Sequence, residues 1–285
     1  MKCMMLAWLV WVLGGVPGFA ADITETLPNG LKVSADYRPA AAGSPTLLVL
    51  HGFLATSAFP AVQTLANEFS AKGYGVLAPT LSLGLNRRRA GLACDAVHTH
   101  TQAEDRAEIA FWVDWLAQRS QGSIVLVGHS FGSVQLLDYV LRTPSPRVVG
   151  LIGISLSYVG AQGEELQGDQ LKRAESQKTE GATSLGRYNL IYCHGNYTST
   201  AEGFLSYANL GRTEVLEALR KNRIPLIAII GGADQRYAGD WVNAMQRAGV
   251  RVQLVPGASH FFDGTFEFDL LDAVSLALIE MKIKP

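Results

Sequence analysis

The sequence predicts an α/β fold, with a mainly parallel, doubly wound sheet in one domain at residues 21–285. Short apolar runs alternate with segments of helical periodicity along most of the chain, the order that builds parallel sheets. The run 46–50 shows no polar alternation, as expected of a strand that is covered on both faces. The pentapeptide Gly-His-Ser-Phe-Gly at 128–132 directly follows the apolar run 124–127. This order is typical of a strand that turns sharply into a helix and exposes a serine at the turn.

The composition is that of an ordinary globular protein. Of the 285 residues, 48% are hydrophobic and 17% are charged, and the formal net charge is -1. Because no excess of positive charge would attract polyanions, nothing favours nucleic acid or an anionic membrane as a partner.

A separate segment precedes the predicted domain. Lys2 is followed by an apolar run at 4–16, and Gly18-Phe19-Ala20 supplies small residues at the spacing that signal peptidase requires. We therefore predict a signal peptide at 1–20, cleaved before Ala21, and export to the periplasm or out of the cell. The apolar run is too short to span a bilayer comfortably, so we expect no stable membrane insertion after cleavage. An uncleaved anchor is the alternative.

Local signals predict the elements in order. Pro28-Asn29-Gly30 is a hairpin turn signal, and Thr101 with Glu104 has the spacing of a capping box, which marks a helix start. Ile109, Trp112 and Val113 then share one helical face. The other predicted elements are a hairpin at 23–37, strands at 46–50, 75–78, 148–154, 226–230 and 252–255, and helices at 60–72, 134–141, 240–248 and 269–281.

Two stretches show neither the hydrophobic periodicity of a helix nor that of a strand. Residues 81–100 are predicted to form a loop. Residues 158–222 are too long for a plain crossover between two strands, and we predict a cap of helices and loops there. The cap is rich in aromatic side chains, which would either line a substrate pocket or pack the insertion against the rest of the domain. They are Tyr158, Tyr188, Tyr192, Tyr197, Phe204 and Tyr207.

Three residues suggest nucleophilic catalysis. A serine such as Ser130 needs a base to become a nucleophile, and the base needs an acid to orient it. Asp234 follows the strand 226–230, and His260 follows the strand 252–255. Because the carboxyl ends of parallel strands lie at one edge of the sheet, we expect the three side chains to meet there.

With these motifs, the chain resembles the α/β-hydrolase superfamily of serine hydrolases, in particular its esterases and lipases. The order Ser, Asp, His along the chain is that of the family, and the resemblance extends from Thr46 to the final helix. It implies an oxyanion hole formed by the backbone N–H groups of Phe53 and Phe131. It further implies hydrolysis of a small acyl substrate, an ester first and a thioester or amide as alternatives, with no cofactor and no metal.

Each assignment has a competing interpretation. Asp234 could merely end its strand or cap the next helix, in which case Glu164 or Glu165 would be the acid. His260 could be an ordinary loop residue. His51 is expected to be structural, and His129 is expected to pack below the serine.

The cysteines and arginines leave further alternatives open. Cys94 and Cys193 could form a disulfide, remain free thiols, or bind a metal with neighbouring histidines. The run at 87–89, Arg-Arg-Arg, would be a solvated surface run or a site for an acidic or phosphate-bearing substrate.

The function itself has rivals. A peptidase or a perhydrolase would use the same three residues, and a non-catalytic binding or assembly factor could share the fold.

Overall fold

The computed structural model describes residues 20–142, 144–161, 168–236 and 240–285. The predicted signal segment lies outside this range except for Ala20. Glu164 and Glu165, the alternative candidates for the acid, also lie outside it. None of the described helices has the length and apolar character needed to cross a membrane.

Eight strands form the main sheet, in the order β1-β2-β4-β3-β5-β6-β9-β10. Six of them run parallel, while β2 pairs antiparallel with both β1 and β4. The predicted fold class is confirmed, including the hairpin at its start. The strands are β1 Ala21–Thr26, β2 Lys32–Arg38, β3 Thr46–Leu50, β4 Gly75–Thr80, β5 Ile124–His129, β6 Val148–Ile154, β9 Leu226–Gly231 and β10 Arg251–Val255.

Helices cover both faces of the sheet. In the central strands, alternate side chains belong to two separate buried clusters, so that Leu47 and Val49 lie in one and Leu48 and Leu50 in the other. One cluster includes side chains of α1 and α8, and the other includes side chains of α2, α3, α6 and α7. This burial explains why the strands lack polar alternation. The helices are α1 Pro60–Ala71, α2 Gln102–Arg119, α3 Phe131–Arg142, α6 Arg212–Lys221, α7 Trp241–Arg247 and α8 Phe266–Glu280.

The start of α2 confirms the predicted capping box. Thr101 accepts a hydrogen bond from the backbone N–H of Glu104, and the Glu104 carboxylate accepts one from the backbone N–H of Thr101. Both acceptors satisfy N–H groups that the first helical turn leaves free.

The segment between β6 and β9 contains helices, as predicted, but also a hairpin that the sequence did not suggest. Its strands pair antiparallel and form a second, two-stranded sheet. The turn is Ile191-Tyr192, with Ile191 at φ +55°, and it lacks the glycine or asparagine that usually marks such turns. The elements of this segment are α4 Gly168–Thr179, β7 Leu185–Leu190, β8 Cys193–Thr200, α5 Ala201–Ala208 and α6.

Candidate active site

Ser130 lies at a strained turn between β5 and α3. Its φ is +55°, in the left-handed region that L-residues rarely adopt, and its backbone N–H donates to the carbonyl oxygen of Ile154 at 2.7 Å. The turn requires glycine on either side: a Cβ on Gly128 would lie 2.6 Å from the backbone nitrogen of Ser133, and one on Gly132 would overlap the His51 carbonyl oxygen. The close packing of strand and helix therefore accounts for both glycines of the pentapeptide.

The structure brings His260 to Ser130 and Asp234. The imidazole Nε2 lies 2.9 Å from the Ser130 Oγ, and Nδ1 lies 2.6 Å from the Asp234 Oδ2. These distances are within the range of hydrogen bonds. The three residues come from loops after three different strands, and they meet at the carboxyl edge of the sheet.

Two hydrogen bonds hold the loop that carries His260. The backbone carbonyl oxygen of His260 accepts hydrogen bonds from the Ser155 hydroxyl at 2.8 Å and from the His129 Nε2 at 3.1 Å. His129 thus packs beneath the site, where Phe59 stacks on its ring. Two donors on one carbonyl restrict the position of the imidazole before any ligand binds.

The carboxyl group of Asp234 is directed at His260. Burial alone would raise the pKa of Asp234, but the hydrogen bond and charge of His260, together with the backbone N–H and charge of Arg236, lower it overall. Asp234 therefore remains ionised at neutral pH. Its carboxylate faces the imidazole and is not a side-chain cap of α7.

Phe53 and Phe131 flank the serine. Phe53 follows β3, Phe131 opens α3, and both line the same cavity as Ser130 and His260. Backbone N–H groups in the first turn of a helix have no helical acceptor, so Phe131 is placed where an N–H can serve a ligand. The cavity has a volume of about 410 Å³, within the range of small-molecule sites.

The model of the "Alpha/beta hydrolase family" matches residues 47–267, well over half of the chain. The chain belongs to the alpha/beta hydrolase family. No curated protein matched its sequence.

Solved structures share the fold of this hydrolase at low sequence identity. Est1E from Butyrivibrio proteoclasticus is 16% identical with a TM-score of 0.65, over 92% of this chain and 99% of that one. GrgF from Penicillium sp. sh18, an alpha/beta hydrolase, is 13% identical with a TM-score of 0.68, over 92% and 99%. The thioesterase domain from the curacin biosynthetic pathway is 18% identical with a TM-score of 0.62, over 92% and 100%.

The three arginines of the run at 87–89 have different environments, and none of them lines the cavity that contains Ser130. Arg88 is buried at 5% exposure, whereas Arg87 is exposed and Arg89 forms an ion pair with Asp22. The guanidinium of Arg88 donates to four backbone carbonyl oxygens and approaches the Nε2 of His51 at 3.4 Å. The four acceptors are the carbonyl oxygens of Leu54, Ala55, Leu81 and Ala90.

Arg88 thereby ties the loop 81–100 to the turn that carries Phe53. We expect Arg88→Met to lower the free energy of unfolding by about 3–5 kcal/mol, because several buried carbonyl groups lose their donor together. Urea unfolding measures the change, and Arg87→Met, one residue away, is the control. Arg88→Lys should give an intermediate loss, since an ammonium cannot reach all four acceptors. Equal losses for Arg88→Met and Arg87→Met would contradict this role.

His51 and His129 are both buried next to the site, and both are neutral. Burial, together with the charge of Arg88, lowers the pKa of His51 to about 3. Burial, together with the charge of His260, lowers that of His129 to about 3. The Nε2 of His51 accepts from the backbone N–H of Leu81, and its Nδ1–H donates to the carbonyl oxygen of Gly52. His51 therefore has a structural role in this turn, as the sequence suggested.

Cys94 and Cys193 form a disulfide with a Cα–Cα distance of 5.5 Å, so their sulfurs are neither free thiols nor metal ligands. Within the described part of the chain, no group of three or more histidine, cysteine or acidic side chains could hold a metal ion. The neighbouring histidines have other contacts: His98 stacks on Tyr197, and His100 approaches Asp105 at 3.3 Å.

The disulfide fastens the cap hairpin beside the serine. Tyr192, next to Cys193, donates its hydroxyl to the carbonyl oxygen of Phe53 at 3.0 Å and lines the cavity. The other cap aromatics are mainly buried in packing, as in the stacked pair Tyr188 and Phe204. Sequence reasoning did not separate Tyr192 from the rest, since only its position in the hairpin turn distinguishes it.

The double variant Cys94→Ser/Cys193→Ser is expected to lose about 2–4 kcal/mol of unfolding free energy, because the bond closes a long loop in the unfolded chain. The sequence separation that it bridges is 99 residues. Urea unfolding with and without a reductant measures the effect. The reductant should destabilise the wild type but not the double variant. Equal unfolding free energies of wild type and double variant without the reductant would contradict the prediction.

Proposed function

We propose that this alpha/beta hydrolase is an exported serine hydrolase that cleaves a carboxylic ester through an acyl-enzyme. The observation that carries the proposal is the chain of contacts from Ser130 through His260 to Asp234. A hydroxyl next to an imidazole that a buried carboxylate orients is the arrangement that makes serine a nucleophile.

In the first half of the reaction, the imidazole Nε2 of His260 takes the proton of Ser130 while the Oγ attacks the ester carbonyl carbon. The negative charge that develops on the carbonyl oxygen is stabilised by the N–H groups of Phe53 and Phe131. Asp234 keeps the proton of His260 on Nδ1 and stabilises the imidazolium. The tetrahedral intermediate then expels the alcohol, which takes the proton from Nε2.

In the second half, His260 takes a proton from water, whose oxygen attacks the acyl-enzyme carbonyl. Collapse of this intermediate releases the carboxylic acid and returns the proton to Ser130. His51 and His129 have pKa values of about 3, so both stay neutral and move no proton in either half.

An ester is the first choice of bond because it has weaker resonance than an amide. Thioesters, amides and peptides remain chemically accessible to the same three residues. One of the neighbours with this fold is named as a thioesterase domain, which agrees with cleavage of an acyl bond. Export rests on the predicted signal segment at 1–20 and on the disulfide, a bond typical of oxidising compartments.

A fluorophosphonate probe tests the proposal. Folded wild-type protein should hydrolyse a short p-nitrophenyl ester, and the probe should abolish this activity while its adduct maps to Ser130 by mass spectrometry. A folded protein that the probe does not label, and that leaves the ester intact, would favour a non-catalytic binding factor. Labelling confined to another residue would reject Ser130 as the nucleophile.

A further inference from the structure

One permanent charge faces the cavity that contains Ser130. Among the described residues that line it, only Arg236 carries a charge that does not depend on pH, while Phe59, Phe131 and Phe261 give it apolar walls. His129 stays neutral because its pKa is about 3. The described lining is therefore mainly apolar, with a single fixed positive charge.

No described carboxylate forms an ion pair with Arg236, although its charge helps to lower the pKa of Asp234. Asp234 is two residues away, but its Oδ2 is bonded to His260, and its Oδ1 accepts the backbone N–H of Arg236, not the guanidinium. No described residue forms an ion pair or a side-chain hydrogen bond with the Arg236 guanidinium. By contrast, Arg212 and Arg247, on the surface nearby, both pair with Asp240.

The guanidinium is positioned by stacking. Its central carbon lies 4.4 Å from the centre of the Phe261 ring, which is within the range of a cation–π contact. Phe261 follows His260 directly in the chain. The contact therefore places the guanidinium next to the loop that carries the imidazole.

We infer that the substrate carries an anionic group, a carboxylate or a comparable anion, which Arg236 binds while Ser130 attacks the ester. Planar N–H donors suit a carboxylate, because two of them can bind its two oxygens at once. The sequence suggested the run at 87–89 as such a site, but none of those three arginines lines the cavity. This inference rests on the proposed function and specifies its substrate class.

Two matched pairs of esters test it. In the first pair the charge lies in the acyl group: 4-nitrophenyl hydrogen succinate and its neutral methyl ester. In the second it lies in the alcohol: 4-carboxyphenyl butyrate and its neutral methyl ester. For each pair, kcat/KM for the anionic ester is divided by kcat/KM for the neutral ester. This ratio is then compared between wild type and Arg236→Gln, so that the difference in intrinsic reactivity between the two esters cancels.

We expect wild type to exceed Arg236→Gln in this ratio by about 10- to 100-fold for at least one pair, the range of a charged hydrogen bond. The pair that responds tells whether the anion lies in the acyl or the alcohol part. The advantage should shrink as salt is added, and Arg236→Lys should keep part of it. Arg212→Gln is the control, since Arg212 also lies near an aromatic ring, that of Trp241, but does not line the cavity.

The inference is overturned if the ratio is the same in wild type, Arg236→Gln and Arg212→Gln for both pairs. Binding without turnover separates this failure from that of the proposed function. Glutaric acid monoanilide, with the anion in the acyl part, and 4-butanamidobenzoic acid, with the anion on the amine side, are titrated calorimetrically into Ser130→Ala, with and without Arg236→Gln. Each is compared with its neutral methyl ester. At least one of the two anions should bind more tightly than its ester only when Arg236 is present, and equal binding of acid and ester in both series would refute the anion site even if no ester is hydrolysed.

Discussion

Ser130→Ala is expected to lower kcat on a short p-nitrophenyl ester by about 10⁶-fold, the size of effect found when a serine nucleophile is removed. In the proposed mechanism the variant loses the oxygen that forms the acyl-enzyme, whereas the imidazole is unchanged. Steady-state hydrolysis, with thermal unfolding to show that the fold persists, measures the change.

Ser157 offers a matched control. It lines the same cavity, but its hydroxyl faces the carbonyl oxygen of Tyr158 at 3.5 Å rather than an imidazole. Ser157→Ala should therefore stay far closer to wild type than Ser130→Ala. If Ser130→Ala kept wild-type activity, or if the two variants lost activity equally, the acyl-enzyme mechanism at Ser130 would be rejected.

Asp234→Asn is expected to lower kcat by about 10⁴-fold with little change in fold. The carboxylate accepts the Nδ1–H of His260 at 2.6 Å and so leaves Nε2 unprotonated, facing the serine. An asparagine amide can donate to Nδ1 instead, which would place the imidazole proton on Nε2, where it can no longer accept the proton of Ser130. Hydrolysis of the same ester measures the loss.

Asp263→Asn controls for the removal of a nearby charge. Asp263 lies on the same loop as His260, is exposed, and accepts a hydrogen bond from Ser259 rather than from the imidazole. Activity of Asp234→Asn close to that of Asp263→Asn would show that Asp234 does not orient the base. The fallback acids, Glu164 and Glu165, would then be the next positions to change.

Much of the site was predictable because its signals are local. The steric demands of the turn at Ser130 require small neighbours within two residues, so the pentapeptide indicates the turn directly. Asp234 and His260 each follow an apolar run, and parallel strands end at a common edge whatever their order in the sheet. The structure places His260 within hydrogen-bonding distance of both Ser130 and Asp234.

The surroundings of the site were not predictable in this way. Arg87, Arg88 and Arg89 look alike in the sequence, yet one is exposed, one is buried among carbonyl oxygens and one pairs with Asp22. Which arginine enters the interior depends on carbonyl groups of the turn after β3 as well as of its own loop. The cap hairpin was missed for a related reason: its strands are rich in polar residues, and its turn at Ile191 has φ +55° without a glycine.

The sequence by itself determined the alternation of strands and helices, the serine turn and the order of the three candidate catalytic residues, because each depends on backbone sterics or side-chain periodicity over a few neighbouring positions. Only the tertiary structure decided that Cys94 bonds to Cys193, that Tyr192 holds the turn at Phe53, and that Arg236 lines the cavity with no ion-pair partner among the described residues. These features bring together groups that are remote in sequence, so each of them depends on how the rest of the chain folds. Such contacts arise when the whole chain packs, and no local pattern encodes them.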